Sequence, residues 1–244
     1  MKTAAIVQAR MGSTRLPGKV LMPLGEKPVL SHVLTRVRRA SRVNVICVAT
    51  TTEPADTAVS ELAQSLEAIV FRGSESDVLG RYLGAARMVE ADIILRITAD
   101  CPLIDCSVLD QLLSLRMERN ADYASNGLSL DWPHGLDCEV FTRGVLEAAA
   151  AATDDPYDRE HVTPWIIREH DAVLPCHLRG PGKPVCEQRW VLDYPEDYIF
   201  LQQVFSLFSG GESPWAWDQI WRVVQKHPEI SAINAHLRRT ALPR

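Results

Sequence analysis

Within ten residues the sequence gathers Arg10, Gly12, Ser13, Arg15, Gly18 and Lys19, in the string QARMGSTRLPGKVL directly after an apolar run. Glycine and serine offer backbone N–H groups without bulk, and Arg and Lys add fixed positive charge, which together can cradle a triphosphate. The same string also fits a plain surface loop with three cations. It is not a P-loop: five residues separate Gly12 from Gly18 where that motif has four, and Val20 stands where it needs Ser or Thr for magnesium. No G-x-G-x-x-G follows the apolar run, which disfavours a dinucleotide-binding site.

Two carboxylates end apolar runs elsewhere. Asp100, in RITADCPLID, precedes Cys101 and Pro102; a hard carboxylate there suits Mg²⁺, and equally suits a turn or cap. Asp105 reads as the cap of the helix that follows. Asp193, in RWVLDYPEDY, is either a second metal ligand or the N-cap of a helix opening at Pro195. Asp137 and Glu139 alternate in LDCEVFT, so on a strand both face one pocket or one solvated surface. Glu160 and His161 precede Pro164, where packing or capping would suit them. An oxygen-rich site leaves His161 little reason to be a metal ligand.

The elements that must position these residues follow from hydrophobic periodicity. TAAIVQA, VNVICVATT, AIVF and DIILRIT predict strands. PVLSHVLTRVRRA, ADTAVSELAQSLE, SDVLGRYLGAARMVE and CSVLDQLLSLRMERN predict helices between and after them. Strands apolar on both faces and separated by helices predict a parallel sheet, with ligands beyond its carboxyl edge, at residues 9–19, 72–77 and 99–105. Beyond residue 120, DYAS, LDCEVFT, AVLPCHLR and EQRWVLD read as strands. RGVLEAAAAAT, YDREHVTPWIIREH, PEDYIFLQQVFSLF, PWAWDQIWRVVQKH and EISAINAHLRR read as helices, the second bent or started by Pro164. SGGES reads as a joint between two helices. The expectation is one domain over 1–244, with a strand-rich lobe at about 120–190 and closing helices at about 195–240.

A formal charge of -5 argues against a dedicated nucleic-acid binder. Yet residues 2–42 hold nine Lys or Arg against the single acid Glu26, a local field suited to a small polyanion. The six cysteines form no C-x-x-C pair and read as free thiols, three of them in apolar runs. No apolar run approaches the roughly 20 residues that span a bilayer, and the opening residues read as a strand rather than a signal peptide, so a soluble cytoplasmic protein is expected.

Six ordered segments, IVQARMGSTRLPGKVL, GSESDVLGRY, ITADCPLID, GLDCEVF, DREHVTPWI and WVLDYPEDY, resemble the spore coat polysaccharide biosynthesis protein F family. That family stands among the CMP-sugar synthetase-like cytidylyltransferases, with the acylneuraminate and 3-deoxy-manno-octulosonate enzymes. VQAR replaces the IPAR of the narrower synthetases and points to the spore-coat branch.

The resemblance implies a three-layer α/β nucleotide-diphospho-sugar transferase-like fold with a mostly parallel sheet. It implies transfer of CMP from CTP to an oxygen of a sugar acid or related acceptor, with pyrophosphate released, for surface glycan biosynthesis. Gln8, Arg10, Met11, Gly12, Ser13, Arg15 and Lys19 then bind nucleotide, and Arg15, Lys19 and Asp100 are catalytic. Mg²⁺ sits on Asp100 and Asp193. Ser74, Asp77 and Arg81 lie near nucleotide or acceptor, while Asp137, Glu139, Glu160 and His161 face the acceptor. A homodimer is implied as well. Two alternatives are a transferase using another nucleoside triphosphate with a sugar phosphate or phosphonate, and a non-catalytic nucleotide-sensing relative.

Overall fold

The first strand, β1 (Thr3–Gln8), has five of its six residues buried, which only a sheet covered on both faces allows. The computed structural model describes residues 1–169, 176–208 and 215–237. After β1 the chain makes a short 3-10 turn (Lys19–Leu21) and a two-residue hairpin, β2 (Pro23–Leu24) with β3 (Lys27–Pro28). Then come α1 (Val29–Val37), β4 (Val45–Thr51), a 3-10 turn (Pro54–Asp56) leading into α2 (Thr57–Ser65), β5 (Ile69–Gly73), α3 (Val78–Met88), β6 (Ile93–Thr98) and α4 (Cys106–Glu118). The second half supplies β7 (Tyr123–Ser125), β8 (Glu139–Thr142), α5 (Arg143–Ala152), α6 (Pro156–His161), α7 (Pro164–Glu169) and β9 (Cys176–His177). It closes with a 3-10 turn (Val185–Glu187), α8 (Pro195–Leu207), α9 (Trp217–Lys226) and α10 (Pro228–Ala232).

Among the described residues the main sheet runs β5-β4-β1-β6-β8-β7-β9. Its β5, β4, β1 and β6 are parallel, as expected, and β8 joins antiparallel to β6. Alternate residues feed two separate cores. Ala5, Val7, Val48, Leu95 and Ile97 pack on the face covered by α1, α2, α4, α8, α9 and α10. Ala4, Ile6, Cys47, Ala49 and Ile94 pack on the face covered by α3, α5 and α7. Each fully buried Val, Leu or Ile contributes roughly 1.5–3 kcal/mol, so both faces hold the sheet rigid beneath its loops. The chain leaves β1 toward β4 and β5, then returns to β6 on the other side of β1. That reversal is the topological switch point where such sheets bind ligands. No helix among the described residues is long and apolar enough to cross a membrane.

Several expected elements differ. YDREHVTPWIIREH is two helices, because Val162 takes φ 74° between them and Pro164 starts the second. EQRWVLD is not a ladder strand. Its backbone bonds first one loop and then another, with Trp190 N donating to His134 O at 2.6 Å and Leu192 N to Asp100 O at 2.8 Å. Trp190, Val191 and Leu192 are buried, so the strand-like pattern comes from threading through the core. AVLPCHLR yields only β9, its residues 172–175 lying outside the described residues, as does SGGES at 209–213. EISAINAHLRR is helical only to Ala232, and its last two residues also lie outside.

Candidate active site

The loop after β1 is folded around one carbonyl. Ser13 N and Gly18 N both donate to Met11 O, at 2.9 and 3.0 Å, so residues 11–18 close into a tight arc. Gly18 sits at φ 72°, where a side chain would be strained and would crowd Met11 Cε. The arc is anchored by Asp56, whose buried carboxylate accepts from Met11 N at 2.6 Å and from the Thr51 hydroxyl. The sequence reading missed Asp56; its signal was an acid in the turn opened by Pro54, at the carboxyl end of β4.

Lys19 leaves this arc toward two carboxylates. Its Nζ lies 2.6 Å from Asp100 Oδ2 and 2.7 Å from Asp193 Oδ1. Asp100 arrives from the end of β6, and Asp193 from the threaded segment that the Leu192–Asp100 backbone bond ties beside it. Arg15 adds a contact of 3.1 Å to Asp193 and lies over the Tyr194 ring at 4.9 Å. Burial alone would raise the Asp100 carboxyl, but the Lys19 ammonium outweighs it and holds that group at about 2. Burial alone would lower Lys19, yet the two carboxylates push it above its ordinary value.

Asp193 is not the cap of α8. Asp197 takes that role, accepting from Asp193 N at 2.9 Å and Tyr194 N at 3.0 Å. Asp197 is wholly buried against Arg189, with both bonds at 2.8 Å. Arg189, unnoticed in the sequence, also reaches Asp193 Oδ2 at 3.4 Å and His134 Nδ1 at 3.1 Å. Asp105 caps α4 as expected, with Ser107 N at 2.8 Å, and its other oxygen receives Trp217 N at the start of α9.

A cleft of about 830 Å³ opens over the switch point. Gln8, Arg10, Gly12, Ser13, Arg15, Lys19, Arg81, Asp100, Asp137, Glu139, Glu160, His161 and Asp193 all line it. Met11, Ser74 and Asp77 do not, because they build the loops. Asp77 caps α3 through Gly80 N at 2.9 Å, and Ser74 Oγ accepts from Asp77 N at 3.2 Å. Arg81 is pinned by the carbonyls of Ser74 and Glu75.

Asp137 and Glu139 do not alternate on one strand, since β8 begins at Glu139. Glu139 is buried and saturated, accepting from Tyr123 Oη at 2.6 Å, Thr163 Oγ1 at 2.8 Å and the Arg96 guanidinium. Arg96 sits directly opposite it in the β6–β8 register and also reaches Gln8 Oε1 at 3.4 Å. The His161 ring packs on Tyr157 at 4.4 Å. Among the described residues no group of three or more His, Cys, Asp or Glu could hold a metal ion.

Comparison with known proteins decides the family, for the cytidylyltransferase profile matches residues 4–205. The chain belongs to the cytidylyltransferase family. The enzyme is 37% identical over 242 residues to an uncharacterized protein of Methanocaldococcus jannaschii, covering 98% of this chain and 96% of that one. It is 34% identical over 218 residues to the spore coat polysaccharide biosynthesis protein SpsF of Bacillus subtilis, covering 86% and 88%. Its fold matches a solved cytidylyltransferase of Leptospira borgpetersenii with a TM-score of 0.89 at 33% identity, over 95% of this chain and 97% of that one.

Proposed function

We propose that the cleft transfers CMP from CTP to an oxygen of a sugar acid or related sugar-like acceptor, releasing pyrophosphate. The meeting of two carboxylates from separate segments at the Nζ of a lysine on the cationic loop carries this proposal. The donor set fits a divalent ion such as Mg²⁺. Both carboxylates aim an oxygen at one point that a cation already fills, and Mg²⁺ takes one or two carboxylates beside phosphate oxygens and waters. Asp100 and Asp193 would hold the ion, which when bound supplies Lewis-acid stabilisation of charge on the phosphate oxygens.

The chain's own residues do the rest. The 10–19 arc binds the triphosphate, and Arg15 and Lys19 stabilise charge growing on the leaving pyrophosphate from fixed positions. In-line displacement requires the acceptor oxygen opposite that leaving group. This directs the acceptor to cleft residues outside the 10–19 loop, among them Asp137, Glu160 and His161. The Bacillus relative is named for spore coat polysaccharide biosynthesis, which supports a glycan-building acceptor. A homodimer, as the family resemblance implies, working in the cytosol, completes the proposal; light scattering should return twice the chain mass.

The test is pyrophosphate release across the nucleoside triphosphates and a panel of sugar acids, sugar phosphates, polyol phosphates and phosphonates. CTP with a sugar acid should give the largest turnover. Preference for another triphosphate, or for a phosphonate, would overturn the corresponding half of the proposal.

A further inference from the structure

We infer that the free enzyme excludes a bare divalent ion from the Asp100–Asp193 site and accepts one only as a metal–triphosphate complex. The lock is Lys19 with Arg15. The inference rests on these two carboxylates being the metal ligands.

Both oxygens of Asp193 are engaged: Oδ1 by Lys19 at 2.7 Å and Arg15 at 3.1 Å, Oδ2 by Arg189 at 3.4 Å. Asp100 gives Oδ2 to the same Lys19 Nζ at 2.6 Å. Three cations therefore face two carboxylates, although Arg189 shares its charge with Asp197. A bare dication approaching this site meets no surplus of negative charge. It must also displace an ammonium whose side chain is only 11% exposed, between carboxylates 20% and 13% exposed, where water screens little. Expelling Lys19 without a new partner leaves a buried charge uncompensated, a costly state.

A triphosphate changes this balance. It brings several negative charges and offers Lys19 and Arg15, both residues of the 10–19 loop that binds it, new partners as they leave the carboxylates. The oxygens of Asp100 and Asp193 are then released to the ion that the nucleotide carries. Coupling of this kind is reciprocal, so metal must tighten nucleotide binding by the factor that nucleotide tightens metal binding. Arg10 has no part in the lock, since its ion pair is with Glu75 at 3.6 Å.

The experiment titrates Mn²⁺, read by water-proton relaxation enhancement as the ion becomes protein-bound, with folding checked by circular dichroism. Wild type alone should bind weakly, and wild type with a non-hydrolysable CTP analogue tightly. Lys19→Met without nucleotide should bind Mn²⁺ about tenfold tighter than wild type, or more. Arg10→Met, an equal change in net charge, should stay within about twofold of wild type. Wild type binding Mn²⁺ as tightly without the analogue as with it, or Lys19→Met at wild-type affinity, overturns the lock alone. Adding Asp100→Asn to Lys19→Met should abolish the gain. Persistence of that gain, or wild type failing to take Mn²⁺ even with the analogue, overturns the carboxylate assignment and the lock with it.

Discussion

Asp193 donates its backbone N–H to the Asp197 carboxylate at 2.9 Å, so capping of α8 falls to Asp197 and the Asp193 side chain turns to Lys19. The two acids, four residues apart, thus divide the work that the sequence left to one. Asp197→Ala should cost about 3 kcal/mol, since it leaves the buried Arg189 charge, among carboxylates, only the longer 3.4 Å contact to Asp193, also losing the Asn234 bond at 2.9 Å. Asp193→Asn should change stability far less, because Lys19 keeps Asp100 and the half-exposed Arg15 turns to solvent. It should still lose most activity and need more Mg²⁺ to recover the remainder. Urea unfolding and magnesium titration of both variants separate the roles; full activity of Asp193→Asn at ordinary magnesium would refute the metal assignment.

Lys19→Ala should weaken CTP binding by about 1.5–3 kcal/mol, tenfold or more in the dissociation constant by calorimetry. Asp100→Asn keeps size and turn geometry, so turnover should collapse while the melting temperature barely moves. Unchanged nucleotide affinity in the first variant would remove the arc from the nucleotide site.

Glu139 and Asp137 should part company. Glu139→Ala leaves the Arg96 guanidinium and two hydroxyls without their acceptor, and a loss of about 3 kcal/mol in chemical denaturation is expected. Asp137 is more exposed, its carboxylate accepting from Gly135 N at 3.0 Å. Asp137→Asn should therefore raise the KM for acceptor with little change in melting temperature. An unaltered acceptor KM would place Asp137 outside the acceptor site.

The thiols give a pH prediction with a definite sign. Burial pushes Cys47 up to about 12 and holds Cys101 and Cys138 well above the ordinary thiol range. In the unfolded chain these thiols ionise near about 8.5, while the folded state keeps them protonated. The unfolded state then binds fewer protons, so stability is intact below about pH 8.5 and falls as pH rises above it. Urea midpoints from pH 7 to 10 should show this decline, and Cys47→Ala should make it shallower, with Cys101 and Cys138 supplying the remainder. Alkylation at neutral pH should reach Cys106, Cys176 and Cys186 in the native protein and all six only after unfolding. Labelling of Cys47 in the native protein would contradict its burial.

Much of this protein was determined by its sequence alone. Apolar strands separated by amphipathic helices permit little besides a covered parallel sheet, and the Gly-rich cationic string after β1 can only lie at its carboxyl edge. Asp100 follows from the same logic, because it ends an apolar strand. Asp105 was legible as a cap because capping is decided within one helical turn. What tertiary structure decided is everything that depends on partners distant in the chain. Asp56 anchors an arc 45 residues before it, and Arg96 selects Glu139 through a cross-strand register, neither of which leaves a local pattern. EQRWVLD looked like a strand because burial produces the same apolar spelling whether a segment joins a ladder or threads a core. The backbone bonds from Trp190 N to His134 O and from Leu192 N to Asp100 O show that it threads, and the second sets Asp193 beside Asp100 with Lys19 between them. Periodicity records which side chains are hidden from water, whereas the donor that meets each carboxylate is chosen by the packing of the whole chain.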